Sequence, residues 1–206
     1  LCTGTDHGHC GVLEGERIAN DKTVKELVRI ALSNAEAGVD YIALSDMMDG
    51  RVSEVRGALE EEGYHETGIL SYSVKYASSF YGPFRGAASS SPEFGDRKSH
   101  QMDVRSGYGE AILEALQDEK EGADIIMIKP GLPYLDVLKV VSDEVLRPVA
   151  VYNVSGEYSM VHKSCSDSKS RGLMIAEILS SFARSGADII VTYHAREVFS
   201  EKLLRE

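Results

Sequence analysis

Two lysines stand where apolar runs end: Lys75 in Ile69-Leu-Ser-Tyr-Ser-Val-Lys75 and Lys129 in Asp124-Ile-Ile-Met-Ile-Lys129-Pro130-Gly131. An ammonium at the end of a buried strand is costly to desolvate, so such a lysine invites a chemical reading. Desolvation and a nearby cation both lower a lysine pKa, and a neutral amine attacks a carbonyl carbon to form a Schiff base. A pair of such amines points to carbonyl chemistry. The plain alternative is that each lysine snorkels from its strand end or holds a phosphate.

The elements that would position them follow a repeated phrase: Ala37-Gly38-Val39-Asp40, Glu121-Gly122-Ala123-Asp124 and Ser185-Gly186-Ala187-Asp188, each followed by an apolar run. Glycine ends a helix in the left-handed conformation, and the apolar run reads as a strand buried on both faces. Five strands are predicted near 41–45, 69–74, 124–129, 148–154 and 188–193, with helices near 21–37, 52–62, 108–121, 134–144, 170–185 and 195–205. Core faces are read from Val24, Leu27, Val28, Ala31, Leu32 and Ala35, then Ile112, Leu113 and Leu116. This alternation means an α/β protein with a parallel sheet. Residues 76–104 are the exception, a long Gly/Ser/Pro-rich loop without helical period that reads as an active-site lid.

Polar residues collect where the strands end: Ser45, Lys75, Lys129, Ser155 and Tyr193. In α/β sheets that edge carries the active site. The long loop adds Tyr81, Arg85, Arg97 and Gln101, and arginines hold carboxylates by paired hydrogen bonds. The 206 residues carry a net charge of -11, with 43% hydrophobic and 27% charged residues, which suits one catalytic domain and argues against nucleic-acid or anionic-membrane binding. Three cysteines, an odd number, fit a reducing, cytoplasmic setting. Five βα units are too few for an eight-stranded barrel, and the chain opens within what reads as a loop. It is therefore expected to be N-terminally truncated, which leaves the strand near 41–45 as an unpaired edge.

Whole segments resemble the porphobilinogen synthase (5-aminolevulinate dehydratase) family: Ser45-Asp-Met-Met-Asp-Gly-Arg51, Ser71-Tyr-Ser-Val-Lys-Tyr-Ala-Ser-Ser-Phe-Tyr-Gly-Pro-Phe-Arg85, Phe94-Gly-Asp-Arg-Lys98, Met127-Ile-Lys-Pro-Gly-Leu-Pro-Tyr-Leu-Asp136 and Ala150-Val-Tyr-Asn-Val-Ser-Gly-Glu-Tyr158. The resemblance implies a TIM (β/α)8 barrel, of which this chain looks like the part from the end of strand 3 through strand 8. It implies condensation of two 5-aminolevulinate molecules to porphobilinogen with loss of two waters, in tetrapyrrole biosynthesis. Lys129 and Lys75 match the two Schiff-base lysines. Arg85, Arg97 and Gln101 match the groups that bind one substrate carboxylate, and Ser155 and Tyr193 those that bind the other. Ser45 is expected to face the second substrate's amino group, and Tyr81 to line the pocket from the lid. Gly86 and His100 depart from the family's usual acidic residue and Tyr.

Cys2 and Cys10, with His7 and His9 between them, read only weakly as a metal site by spacing. The resemblance matches both cysteines to ligands of a catalytic zinc, with a third thiolate falling one residue before Leu1. Glu110 resembles the ligand of an allosteric magnesium; by itself it reads as a helix N-terminal acid favoured by the macrodipole. Cys165 sits in a polar stretch and matches no ligand. The family commonly forms octamers, so a homo-oligomer is expected. Two other readings compete: a barrel aldolase with a single Schiff-base lysine, and a non-catalytic or partner-binding remnant.

Overall fold

The computed structural model describes residues 10–87 and 97–204. A short antiparallel hairpin comes first, β1 (Leu13–Glu14) with β2 (Arg17–Ile18), where the sequence reads as loop. Helices and strands then alternate: α1 (Asn20–Glu36), β3 (Tyr41–Leu44), α2 (Arg51–Glu61), β4 (Gly68–Lys75), α3 (Gly82–Ala87), α4 (Tyr108–Lys120), β5 (Ile125–Lys129), α5 (Leu135–Glu144), β6 (Val149–Asn153), α6 (Ser155–Ser164), α7 (Ser168–Arg184), β7 (Ile189–Thr192) and α8 (Ala195–Glu201). The five longer strands form one parallel sheet in the order β3-β4-β5-β6-β7, with β3 and β7 at its edges. The order follows the chain without reversal, as in a barrel wall and unlike a doubly wound sheet.

The repeated Gly-small-Asp phrase folds the same way three times. Gly38, Gly122 and Gly186 all have positive φ. Behind each, the next residue's N–H reaches back to the third-last helical carbonyl: Val39 to Asn34, Ala123 to Asp118 and Ala187 to Phe182. This is the Schellman closure, which satisfies carbonyls that a helix end leaves open. At Gly186 a side chain is excluded twice over, because φ is +103° and a Cβ would sit 2.2 Å from the Ser142 hydroxyl. The aspartates then fix strand register. Asp124 N–H donates to Ile69 O at 2.8 Å while its carboxylate accepts from Ile69 N–H at 2.8 Å. Asp188 makes the same exchange with Val149, at 2.8 and 2.9 Å.

One face of the sheet packs Ile125, Met127 and Ala150 with Leu70, Tyr72, Tyr152 and Val191. The other face buries Ile69, Val74, Ile126, Ile128, Val149 and Val151 among the helices. For α1 the expected core face is correct in outline, with Val24, Leu27, Ala31 and Ala35 buried. For α4 it is wrong. That helix buries Ala111, Ala115 and Asp118 against the sheet, while Leu113 is 66% exposed and Leu116 39%. Small side chains let the helix approach β4 closely, and that proximity outweighs the apolar period.

The described parts of the predicted loop, 76–87 and 97–104, hold regular structure that their composition does not suggest. A 3-10 turn (Ser79–Tyr81) runs into α3, and the segment's far end returns to β4 through a Tyr76–Met102 bridge. α6 is a helix that the sequence does not lead one to expect, because glycine and serines at its start favour turns. Cys165 is half-buried against the core.

Candidate active site

The two lysines occupy directly paired positions, Lys75 on β4 opposite Lys129 on β5. A register shift between Ser71 and Val74 makes this possible: three steps along β4 match two along β5. Strand side chains alternate between faces, so without the shift Lys75 would point away from the face that Tyr72 occupies. With it, both amines lie over the Tyr72 ring, Lys75 Nζ at 6.0 Å and Lys129 Nζ at 5.1 Å from its centroid. Lys129 also lies 4.3 Å from the Tyr152 ring centre and 5.3 Å from that of Tyr81. Burial, then the neighbouring Lys75, bring the Lys129 pKa down to about 7. Half of its amine is then neutral at pH 7, roughly a thousandfold more than for an ordinary lysine.

Lys75 is buried and donates to the Ser45 carbonyl. Ser45 thus joins the site through its backbone. Tyr81, buried at 6% exposure, donates its hydroxyl to Lys129 O at 3.2 Å, tying the 76–104 segment to β5. Arg85 stacks over Tyr81 at 5.4 Å, and its pKa is lowered by burial and then by Arg97. Arg85 Nε and both amide atoms of the buried Gln101 have no hydrogen-bond partner among the described residues. Buried donors left open in this way match what an anionic group would satisfy. Ser155 faces the same segment: its Oγ accepts from Phe84 N–H at 3.0 Å. Tyr193 lies at the end of β7, its ring centre 6.2 Å from that of Tyr152, and is 43% exposed. Tyr152 therefore bridges Lys129 and Tyr193.

Two supporting networks escaped the sequence reading. Glu157 is fully buried in α6 and accepts from the backbone N–H groups of Leu132 and Val154, and from the Asn153 amide at 3.3 Å. Asn153 in turn accepts from the Thr192 hydroxyl at 2.8 Å. The loops after β5, β6 and β7 are thereby locked together around Lys129, Ser155 and Tyr193. Burial raises the Glu157 pKa to about 7 despite these donors. A Glu two residues after the Ser that opens a helix was the available signal. The second network is centred on Arg51, which donates to Asp118 and Ser71 at 2.9 Å each and to Met48 O at 2.9 Å. It anchors the Ser45-bearing loop beneath the site.

Cys2, His7 and His9 lie outside the described residues. Cys10 is buried, and its thiol lies close enough to Arg85 and Lys129 to offset a small part of the downward pKa shift that burial imposes on each. Cations beside a thiol favour the thiolate, the form that binds zinc, so Cys10 fits a metal ligand at the edge of the lysine site. Glu110 stands apart. It is exposed in the first turn of α4, lining a cleft of about 520 Å³ with Glu16, Asp49 and Glu114. It belongs to no tight grouping of three ligand side chains among the described residues. No helix among those residues is long and apolar enough to cross a membrane.

A family model described as Delta-aminolevulinic acid dehydratase matches residues 1–201. A Delta-aminolevulinic acid dehydratase from Helicobacter pylori is 52% identical over 199 residues, 96% of this chain and 61% of that protein. One from Methanothermus sociabilis is 51% identical over 201 residues, 98% of this chain and 62% of that one. This chain thus spans about three fifths of the length of the relatives it matches. The crystal structure of the Toxoplasma gondii enzyme with its reaction product porphobilinogen superposes with a TM-score of 0.92 at 47% identity, covering 96% of this chain and 57% of that one. The parallel wall described above is accordingly part of a (β/α)8 barrel, and the chain belongs to the delta-aminolevulinic acid dehydratase family.

Proposed function

We propose that the protein is a porphobilinogen synthase, joining two 5-aminolevulinate molecules with loss of two waters through imines on Lys129 and Lys75. The observation that carries this reading is the register pairing of the two lysines on one face of the sheet. Each neutral amine attacks a ketone carbon, and the carbonyl oxygen leaves as water. The protonated imine then withdraws electrons from the neighbouring carbon, so that a proton there can be removed and a carbon–carbon bond formed. Holding the two substrates on adjacent strands converts an encounter in solution into a positioned step.

Arg85, Arg97 and Gln101 would receive one substrate carboxylate; Ser155 and Tyr193 would receive the other. Ser155 would then turn its O–H from Phe80 O, 3.5 Å away, to the substrate while its oxygen still accepts from Phe84 N–H, so carboxylate binding and the contact with the 76–104 segment are coupled in this reading. That segment acts as a lid whose closure excludes water and strengthens the electrostatics beneath it. Zinc held by Cys10 and Cys2 would supply Lewis acidity at a substrate oxygen. Magnesium near Glu110, bound through water, would lie outside the reacting centre. A homo-oligomer in the cytoplasm is the setting proposed.

Borohydride trapping with 5-aminolevulinate, followed by peptide mass analysis of the full-length protein, tests the reading. Adducts are expected on Lys129 and Lys75. An adduct on one lysine alone would favour a single-lysine aldolase, and adducts on neither would overturn the assignment.

A further inference from the structure

Beside the proposed reacting centre, and independent of it, His162, His194 and Glu197 form a grouping with no role in the condensation. One ligand atom from each lies within 4.8 Å of the others. His194 Nδ1 is 2.9 Å from Glu197 Oε2, and His162 Nε2 is 3.7 Å from the same oxygen. The two imidazoles are nearly parallel, 8° apart with centroids at 5.6 Å. Both lean on the Tyr158 ring, at 4.3 and 4.6 Å. We propose that His162, His194 and Glu197 form a binding site for a divalent transition-metal ion of the zinc class, clamping α6 to α8.

Geometry and donor chemistry both favour such an ion. Four ligands around zinc at about 2.0–2.1 Å stand roughly 3.3 Å from one another. The two separations to Glu197 Oε2 bracket that value and the third pair lies within 4.8 Å, so a rotation of the partly exposed His162 ring is the movement that closing the site requires. Two imidazoles and one carboxylate oxygen suit zinc, nickel or copper rather than calcium or magnesium, which take oxygen ligands. The carboxylate also has its outer contact. Arg171 Nε donates to Glu197 Oε1 at 3.1 Å, orienting the carboxylate and leaving Oε2 toward the histidines. His194 is wholly buried, with its backbone N–H bonded to the Thr192 hydroxyl at 3.1 Å. The His162 side chain is 33% exposed, which gives an ion an entry path and leaves room for a water as fourth ligand.

The site would tie the helix after β6 to the helix after β7, and Tyr193 immediately precedes one of its ligands. Zinc titration of the metal-stripped full-length protein, read by equilibrium dialysis and by melting temperature, tests it. The His162→Ala variant, altered at a partly exposed side chain, is expected to bind one equivalent fewer than the parent, or to bind that equivalent more than about tenfold more weakly. Its metal-free melting temperature should match the parent's, while its zinc-induced increase shrinks. Glu197→Gln should behave likewise. In a Cys2→Ser/Cys10→Ser background the equivalent should persist, with X-ray absorption showing nitrogen and oxygen neighbours and no sulfur. Unchanged stoichiometry and affinity in His162→Ala, or no zinc bound in the thiolate-free background, would overturn the proposal without touching the lysine chemistry.

Discussion

Arg51 and Lys129 are both cations drawn into the protein, and they are treated in opposite ways. Arg51, with a side chain only 2% exposed, is met by Asp118 at 2.9 Å, by Asp46 at 3.7 Å, and by the Ser71 hydroxyl and Met48 carbonyl. Lys129 has no carboxylate within ion-pair distance among the described residues, and is surrounded by tyrosine rings and a second lysine. A buried charge is tolerated when its partners replace water; without them it gives up its proton. Arg51 is therefore held by its partners and fixes a loop in place. Lys129, on the function proposed above, serves as a nucleophile. The same desolvation serves structure in one region and chemistry in the other, and the partner decides which.

Removing each cation should break this contrast in opposite directions. Lys129→Met is expected to lower porphobilinogen formation about 10⁴-fold or more, since no other side chain forms its imine. Its stability in urea at pH 7 should be equal to or above the parent's, because an uncompensated amine has been replaced by an apolar chain. Arg51→Met should instead lose about 3–5 kcal/mol in the same urea titration, because Asp118 and Asp46 stay buried without their cation. An activity loss in Arg51→Met at temperatures where the fold persists would show that the network positions Ser45 as well as stabilising it.

Proton linkage sharpens the comparison further. The Lys129 pKa of about 7 lies below its ordinary 10.5, so between these values the unfolded chain binds a proton that the folded chain does not. Its contribution to stability is present above 10.5 and is lost as pH falls toward 7. Imine trapping at Lys129 should correspondingly rise with pH through about 7 and then level off. Lys75→Met should move that midpoint upward by less than half of the total shift, because burial is the larger cause. The smallest effect is expected for Tyr81→Phe. It keeps the ring beside Lys129 but deletes the bond to Lys129 O, and should cost about 0.5–1.5 kcal/mol by chemical denaturation.

Much of the architecture was legible because its signals are local. The three Gly-small-Asp phrases marked helix ends and strand starts, and each behaves as its φ and hydrogen bonds require. α4 was misread because burial is shared between elements: which side of a helix meets a sheet depends on how closely the two backbones pack. α6 was hidden because Ser and Gly weaken helix propensity, while one of the buried Glu157 contacts that hold it, with Leu132 N–H, comes from the loop after β5. Arg51 gave no sign of its role, since its acidic partner Asp118 is 67 residues away.

The sequence by itself determined the alternation of helices and strands, the placement of polar groups at one end of the sheet, and the identity of the two amines. Only the tertiary structure decided that those amines share a face. A strand's side chains alternate strictly, so a single register shift between β4 and β5 moves Lys75 from one side of the sheet to the other, and such a shift exists only once the two strands are paired.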